Sequence, residues 1–146
     1  MRIIVDAYGG DNAPEAVLRG CRMAADRWKC EIILTGDGEK LRARAAELGV
    51  SLEGMTIAEA PDVFPMEAEP TAIMKQYKDS SMARGLQMLA EGGGEALVSA
   101  GSTGALVVGG TLIVKRIKGV KRPAIGTVVP CKDGCLMMLD SGASHD

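Results

Sequence analysis

One stretch combines residue types and spacing that suit the binding of an anion. Residues 96–98 are an apolar run of the length of a buried strand, and an apolar helix pattern begins at residue 105. A strand, a small-residue turn and a helix in this order point free backbone N–H groups at a ligand, where the helix N-terminus adds about half a unit of positive charge. The candidate phosphate-binding residues of this turn are Ser99, Gly101, Ser102, Thr103 and Gly104. A helix cap at Ser102 or Thr103 accounts for the same pattern without any ligand, and both interpretations stay open here.

Two further glycine turns follow predicted strands. One is Gly9-Gly10, which Asp11 follows, and the other spans residues 36–38. In an open α/β sheet the carboxyl ends of the strands share one edge, and ligands bind there. None of the three turns has the G-x-G-x-x-G spacing of a dinucleotide site, so that class of site is disfavoured.

Lys78 is the cation that the pattern singles out. It stands before Asp79, Ser80 and Ser81, at a predicted helix start. These four residues are candidates for contacts with an anion. Most surface lysines are merely solvated, and a purely structural role for the serines as helix caps is the alternative.

The cysteines do not predict a metal site. Cys131 and Cys135 flank a predicted hairpin turn, but Cys21 and Cys30 lie on other elements and His145 is the only histidine. A structural zinc site needs four ligands at suitable spacing. We therefore predict free thiols and no metal.

Composition narrows the class of protein. The 146 residues are enough for one domain with a core, and the net charge of −2 with 3% aromatic residues argues against a nucleic-acid surface. No apolar run reaches the ~20 residues of a membrane span, and residues 1–5 lack the apolar region of a signal peptide. We expect a cytoplasmic protein with reduced cysteines.

The elements that must position these residues alternate between strands and helices. Strands are predicted at residues 2–6, 31–35, 55–58 and 96–98, with helices between them, and a hairpin joins runs at 124–130 and 135–140. This order predicts a three-layer α/β/α fold with a mixed, mostly parallel sheet. Trp28 falls on a predicted core stripe of the first helix, and Gly109-Gly110 predicts a close contact between backbones. Because the chain stops directly after a strand, we expect it to be the N-terminal part of a longer α/β domain.

Five short motifs recur together in one known family. In the same order along the chain they resemble the PlsX-type phosphate acyltransferases of bacterial phospholipid synthesis. The motifs are Asp6-Ala-Tyr-Gly-Gly-Asp-Asn-Ala-Pro14, Lys78-Asp-Ser-Ser-Met82, Ser99-Ala-Gly-Ser-Thr-Gly-Ala105, Ile117-Lys-Gly-Val-Lys-Arg-Pro-Ala124 and Leu139-Asp-Ser-Gly-Ala143. Three positions depart from the family pattern, namely Tyr8 in place of methionine, Tyr77 in place of a second lysine and Ser144 in place of asparagine.

The resemblance implies a reaction in which acyl-[acyl carrier protein] and inorganic phosphate give acyl phosphate and the free carrier protein. It also implies a fold akin to phosphotransacetylases and isopropylmalate-type dehydrogenases, a homodimer about twice as long per subunit, and peripheral membrane association through the remaining part.

The implied chemistry assigns roles to two charged residues. Phosphate is itself the nucleophile, so neither a cofactor nor a covalent enzyme intermediate is needed. Lys78 would neutralise charge on the phosphate or the oxyanion, and Asp140 would orient a base or a lysine, a structural carboxylate being the alternative for Asp140. A non-catalytic phosphate- or nucleotide-binding module, or an inactive piece, remains the alternative function. We expect residues 1–146 alone to be inert, since they offer no obvious surface for a long acyl chain.

Overall fold

The structure is a computed structural model that describes residues 1–121 and 123–139. Asp140, Ser144 and His145, which the sequence analysis singled out, lie outside the described residues. The chain forms two compact units, Met1–Lys115 and a second that begins at Arg116.

The first unit alternates strands and helices. Its strands are β1 (Arg2–Asp6), β2 (Glu31–Gly36), β3 (Met55–Glu59) and β4 (Ala96–Val98). Its α-helices are α1 (Glu15–Trp28), α2 (Gly38–Glu47), α3 (Ser81–Ala90) and α4 (Thr103–Gly109). A 3-10 helix spans Pro70–Met74, and a π-helical turn at Gly110–Val114 continues α4. Each strand begins and ends within one residue of its predicted span.

The four strands of this unit form one parallel sheet in the order β3-β2-β1-β4. In the central strand β1, Ile3 lies opposite Ile32 of β2 on one side and Ala96 of β4 on the other. The chain thus moves outwards from β1 to β3 and then returns to the far side of β1. Such a reversal of direction opens a crevice at the carboxyl ends of the two strands involved, which here are β1 and β4.

Helices cover both faces of the sheet, as predicted. On one face, Val5 and Leu34 pack with Leu18 of α1 and Leu41 of α2. Alternate strand residues point to the opposite face, where a Cβ added at Gly85 of α3 would stand 3.4 Å from Ile4 Cγ2. The predicted α/β fold with helices on both sides is therefore confirmed.

Trp28 corrects the predicted core stripe of α1. Cys21 is buried, but Trp28 is 64% exposed. Because Trp28 is the last residue of α1, its ring extends past the part of the helix that packs on the sheet. The Arg27 guanidinium lies 5.1 Å from the centre of that ring.

The segment from residue 61 to residue 80 is anchored by two buried apolar side chains, although most of its residues are half-buried or exposed. The side chains of Phe64 and Ile73 are buried in a second core with α3 and α4. Phe64 and Tyr77 make an edge-to-face contact with ring centres 5.2 Å apart. A parallel bridge between Asp62 and Ser80 closes the base of the segment. This segment therefore lies against the N-terminus of α3 and forms a wall beside it.

The helix that starts at Thr103 is held close to α3 by a glycine. A Cβ at Gly109 would stand only 2.3 Å from Leu86 Cδ1, whereas a Cβ at Gly110 would meet no heavy atom within 4 Å. Close packing is found at Gly109 alone, and its neighbour is the Leu86 side chain rather than the second backbone that was predicted. Leu112 is 54% exposed, so the helix is not buried all round. No helix in residues 1–121 and 123–139 combines the length and the apolar character that a membrane crossing requires.

The second unit contains the predicted hairpin. Strands β5 (Gly126–Cys131) and β6 (Gly134–Leu139) pair antiparallel, with Pro130 opposite Cys135. They form a two-stranded sheet of their own, although a single mixed sheet was expected. A hairpin satisfies its inter-strand hydrogen bonds locally, so its sequence does not decide which sheet it joins. All four cysteines of the chain are free thiols, and Cys131 and Cys135 are exposed.

The two glycines of α4 and its continuation form a matched pair for a stability test. Gly109→Ala should force the buried Leu86 side chain to move, at about 1–3 kcal/mol for overpacking. Gly110→Ala should cause no clash and should stabilise the helix by up to about 1 kcal/mol. Because both variants gain the same helix propensity, the difference between their unfolding free energies in urea reports the Leu86 contact. Equal stabilities would contradict the close packing.

The cysteines should differ in reactivity. Burial, with a smaller contribution from nearby Cys30, raises the pKa of Cys21 to about 11. Only the thiolate attacks an alkylating reagent, so Cys21 should react slowly at neutral pH and faster as the pH rises towards 11. Cys131 and Cys135 are exposed and should react first. Mass spectrometry of peptides after iodoacetamide treatment measures each rate, and rapid labelling of Cys21 at neutral pH would count against its burial.

Candidate functional site

The buried carboxylate of Asp6 is the centre of the candidate site. Asp6 ends β1 and is 2% exposed. Its Oδ1 accepts a hydrogen bond from Ser81 Oγ at 2.6 Å and another from the Tyr8 N–H at 3.2 Å. Its Oδ2 accepts from Ser99 Oγ at 2.7 Å. One side chain thus joins the end of β1, the start of α3 and the turn after β4.

The sequence analysis did not choose Asp6 as a site residue. An acidic residue at the end of an otherwise apolar strand is the signal that could have found it, because a buried carboxylate needs hydrogen-bond partners. Those partners lie 75 and 93 residues away along the chain. Only the fold brings them together.

The two serines at the start of α3 have different tasks. Ser80 is the N-cap, and its hydroxyl accepts from the Ala83 N–H at 3.3 Å. Ser81 begins the helix and turns inwards to Asp6, while its N–H donates to the Asp62 carbonyl at 2.9 Å. Both serines are buried. The capping role expected for this segment is confirmed, and Ser81 in addition reaches the site.

Two glycines allow the turns after β1 and β4 to touch. A Cβ at Gly9 would stand 2.6 Å from Asp6 Oδ2, 2.8 Å from Ser99 Oγ and 2.9 Å from the Gly101 nitrogen. Ser99 Oγ also accepts from the Gly101 N–H at 3.1 Å. Any side chain at Gly9 would therefore displace the Asp6–Ser99 hydrogen bond or separate the two turns.

A cleft of about 260 Å³ opens beside this network, on the α3 face of the sheet. Asp6, Gly9, Gly101 and Ser81 contribute to its lining, and the segment 63–66 also borders it. Gly10 and Asp11 also border the cleft, and Gly10 has a positive φ of 98°. The cleft thus brings together five of the predicted residues, namely Gly9, Gly10, Asp11, Ser81 and Gly101.

The cleft carries negative rather than positive charge. Asp6 and Asp11 line it, and among the described residues that border it none is a lysine or an arginine. Ser81 and Tyr8 also border the cleft, and the buried Tyr8 hydroxyl has no hydrogen-bond partner in the described part of the chain. Burial and the nearby Asp37 carboxylate raise the pKa of the Tyr8 phenol, so this hydroxyl keeps its proton.

The N-terminus of α4 stands next to the cleft with its cap in place. Ser102 is the N-cap, and its hydroxyl accepts from the Ala105 N–H at 3.4 Å. Thr103 and Gly104 are exposed, and a Cβ at Gly104 would stand 2.8 Å from Pro70 Cγ. The capping interpretation of Ser102 is confirmed. The first N–H groups of an α-helix have no intrahelical partner, and in α4 these are the N–H groups of Thr103 and Gly104.

Lys78, one of the two predicted catalytic residues, does not border the cleft. Lys78 Nζ lies 3.9 Å from Asp79 Oδ2, and both side chains are largely exposed. Neither borders the cleft. Asp140 lies outside the described residues.

A pair of carboxylate substitutions tests the central role of Asp6. Asp6→Asn should cost about 1–3 kcal/mol of unfolding free energy, because hydroxyl donors lose a charged acceptor in a buried place. Asp11→Asn changes an exposed residue and should shift stability by less than about 0.5 kcal/mol. Urea unfolding followed by circular dichroism measures both. Equal effects would show that the Asp6 network does not hold the three segments together.

Comparison with known proteins shows the family and the fold of this chain. The sequence profile of a family described as fatty acid synthesis protein matches residues 1–146. Phosphate acyltransferases from Pelotomaculum thermopropionicum and Caldicellulosiruptor bescii are 43% and 44% identical to the whole chain, which spans 42% and 44% of their lengths. The phosphate acyltransferase of Clostridium perfringens strain SM101 is 42% identical, and the chain spans 43% of it.

A solved structure shows the same fold. The EutD phosphotransacetylase from Staphylococcus aureus superposes with a TM-score of 0.64 at 20% sequence identity, over 95% of this chain and 44% of that one. The fold and the profile thus agree over nearly every residue. The chain belongs to the fatty acid synthesis protein family, which is the family of the PlsX-type phosphate acyltransferases.

Proposed function

We propose that this chain supplies part of the site of an enzyme of lipid synthesis that transfers an acyl group from acyl-[acyl carrier protein] to inorganic phosphate. Relatives named phosphate acyltransferase, which are more than twice as long as this chain, support the reaction. The observation that carries the proposal is the contact between the turns after β1 and β4. There Gly9 and Gly101 let the two turns pack against the Asp6, Ser81 and Ser99 network, which borders the cleft.

The reaction needs an anion, a carbonyl and an oxyanion close together. A phosphate oxygen attacks the thioester carbon, a C–O bond forms, and the carbonyl oxygen gains negative charge. The intermediate then collapses, the C–S bond breaks, and the sulfur of the carrier protein leaves and takes up a proton. Donors fixed in advance around the developing charge lower this barrier. In our proposal these donors are the N–H groups of Thr103 and Gly104, with hydroxyls from Ser102 and Thr103.

Asp6 acts as a positioning residue in this scheme. Asp6 accepts hydrogen bonds from the hydroxyls of Ser81 and Ser99, and Ser99 Oγ in turn accepts one from the Gly101 N–H. The direction of each hydrogen bond is thereby set, and the turn after β4 keeps one conformation. Since the carboxylate is buried and already accepts three hydrogen bonds, we assign it no role as the general base.

Lys78 is proposed to provide the positive charge that the cleft lacks. It stands three residues before Ser81, and its side chain is 67% exposed, so the ammonium group has freedom to turn towards a bound phosphate. The Lys78 carbonyl accepts from Gln87 Nε2 at 3.1 Å, which ties its backbone to α3. The backbone is therefore held while the charge stays mobile. We retain Asp79, Ser80 and Asp140 as proposed residues of the site.

The complete site is proposed to need more polypeptide than these residues. The chain spans less than half the length of the relatives that it matches. We propose that it forms the N-terminal part of one α/β acyltransferase domain, working as a cytoplasmic homodimer. Acyl carrier protein and inorganic phosphate are its proposed substrates, and contact with the membrane surface is proposed to involve the remaining part.

An activity assay tests the proposal. We expect residues 1–146 alone to make no acyl phosphate, and a chimera that continues them with the C-terminal part of the Clostridium perfringens relative to make it. The product is trapped with hydroxylamine after incubation with acyl-[acyl carrier protein] and phosphate. In the chimera, Lys78→Gln should lower kcat/KM about tenfold to a hundredfold, because it removes the positive charge beside the bound phosphate. The control Lys29→Gln removes an exposed charge at the end of α1 and should leave the rate unchanged.

Three results would contradict parts of this picture. A folded chimera that binds phosphate or a nucleotide but makes no acyl phosphate would favour a binding module. Full activity of the isolated 146 residues would show that the site is complete in them. Equal rates for the two lysine variants would remove Lys78 from the site.

A further inference from the structure

The backbone on both sides of Lys78 is held by side-chain contacts, although its ammonium group is exposed. Before it, Tyr77 is half-buried, and its ring meets the ring of Phe64 edge-to-face with centres 5.2 Å apart. After it, the Lys78 carbonyl accepts a hydrogen bond from Gln87 Nε2 at 3.1 Å. The lysine therefore combines a restrained backbone with a free charge.

The contact of Tyr77 leads to the wall of the cleft. Phe64 is buried and borders the cleft. It belongs to the same apolar cluster as Ile73 and Met82, and Met82 also borders the cleft. An edge-to-face pair of aromatic rings is more favourable than the area that it buries would suggest. Tyr77 thus ties the chain at Lys78 to side chains that line the cleft.

The hydrogen bond of Gln87 leads to the Asp6 network. Gln87 lies on α3, and the first residue of that helix, Ser81, donates to Asp6 Oδ1 at 2.6 Å. Leu86, next to Gln87, is buried in the core, so this turn of α3 is packed firmly. Gln87 therefore fixes the Lys78 backbone relative to the same helix that carries Ser81 into the site.

The ammonium group of Lys78 has only a weak partner to give up. Its Nζ lies 3.9 Å from Asp79 Oδ2, and both side chains are largely exposed. An exposed ion pair at this distance contributes little, because water screens it and two mobile side chains must be ordered. Lys78 can therefore exchange Asp79 for a bound anion at little cost.

We propose that Tyr77 and Gln87 are positioning residues that hold Lys78 beside the cleft, so that its ammonium group meets the bound phosphate. The inference rests on the proposed transfer of an acyl group to phosphate and adds how an exposed lysine is placed for it. Binding an anion orders a lysine side chain, and that loss of freedom opposes binding. Where the backbone is already held, only the side chain remains to be ordered, and the anion binds more tightly.

The affinity of the chimera for inorganic phosphate, measured by calorimetry, tests the inference without depending on acyl transfer. Gln87→Met keeps the length of the side chain and removes the donor. Phosphate should then bind about threefold to tenfold more weakly, because more of the chain is ordered on binding. Gln76→Met makes the same change at an exposed residue whose amide lies 3.3 Å from the Tyr77 hydroxyl and does not bond to Lys78. This control should leave the affinity unchanged.

A pair of substitutions at Tyr77 tests the other contact. Tyr77→Phe keeps the ring against Phe64 and should bind phosphate as before, whereas Tyr77→Leu removes the ring and should weaken binding by a similar factor to Gln87→Met. Circular dichroism shows whether each variant is folded before it is titrated. If Tyr77→Leu does not fold, Gln87→Met decides, because its hydrogen bond lies at the surface and its loss leaves no buried group without a partner.

A double-mutant cycle separates positioning from a merely structural role. If Gln87 acts through Lys78, the effect of Gln87→Met should disappear when Lys78→Gln is already present. An equal loss of affinity in both backgrounds, or no loss in either, would overturn the inference even if the chimera makes acyl phosphate. The expected coupling in a chimera that makes no acyl phosphate would support the positioning and refute the reaction. A chimera that binds no phosphate would refute both.

Discussion

The hydrogen bonds of one buried carboxylate hold the site of this protein together. Asp6 at the end of β1 accepts hydrogen bonds from the hydroxyls of Ser81 and Ser99, which lie at the start of α3 and in the turn after β4. A buried ionised group is costly unless its hydrogen-bond capacity is used. Because the buried Asp6 carboxylate needs these hydrogen bonds, it fixes the start of α3 and the turn after β4 relative to β1. A site built on this network is rigid at its base.

The glycines around Asp6 follow from this constraint. The turns after β1 and β4 meet where the direction of the chain reverses, and a β-carbon at Gly9 would collide with three groups of the network at once. The crevice between the two strands is therefore filled at its base by backbone and hydroxyl groups. Ligands can reach the carboxylate network from the α3 face, through the cleft.

The charge of the cleft bears on the proposed transfer of an acyl group to phosphate. Such a reaction brings an anion to the carbonyl end of an acyl group, so it calls for positive charge beside the anion. The negative charge of the cleft is the feature that the described residues leave uncompensated, and the exposed Lys78 is the group on the adjoining segment with the freedom to compensate it.

Much of the fold was determined by local sequence pattern. Apolar runs of strand length alternate with amphipathic segments, and the four strands of the first unit were located from this alternation because period and length are local properties. Ser102 and Ser80 were likewise recognisable as helix caps, since a cap satisfies N–H groups only three residues away. The family resemblance rested on five such short motifs.

The local pattern did not determine which side chains and elements meet in the folded chain. Trp28 fits the core stripe of α1 yet is exposed, the hairpin forms its own sheet, and Lys78 lies outside the cleft. The importance of Asp6 became visible only in the tertiary structure, because it depends on groups that lie far apart in the chain and meet only when the sheet is assembled.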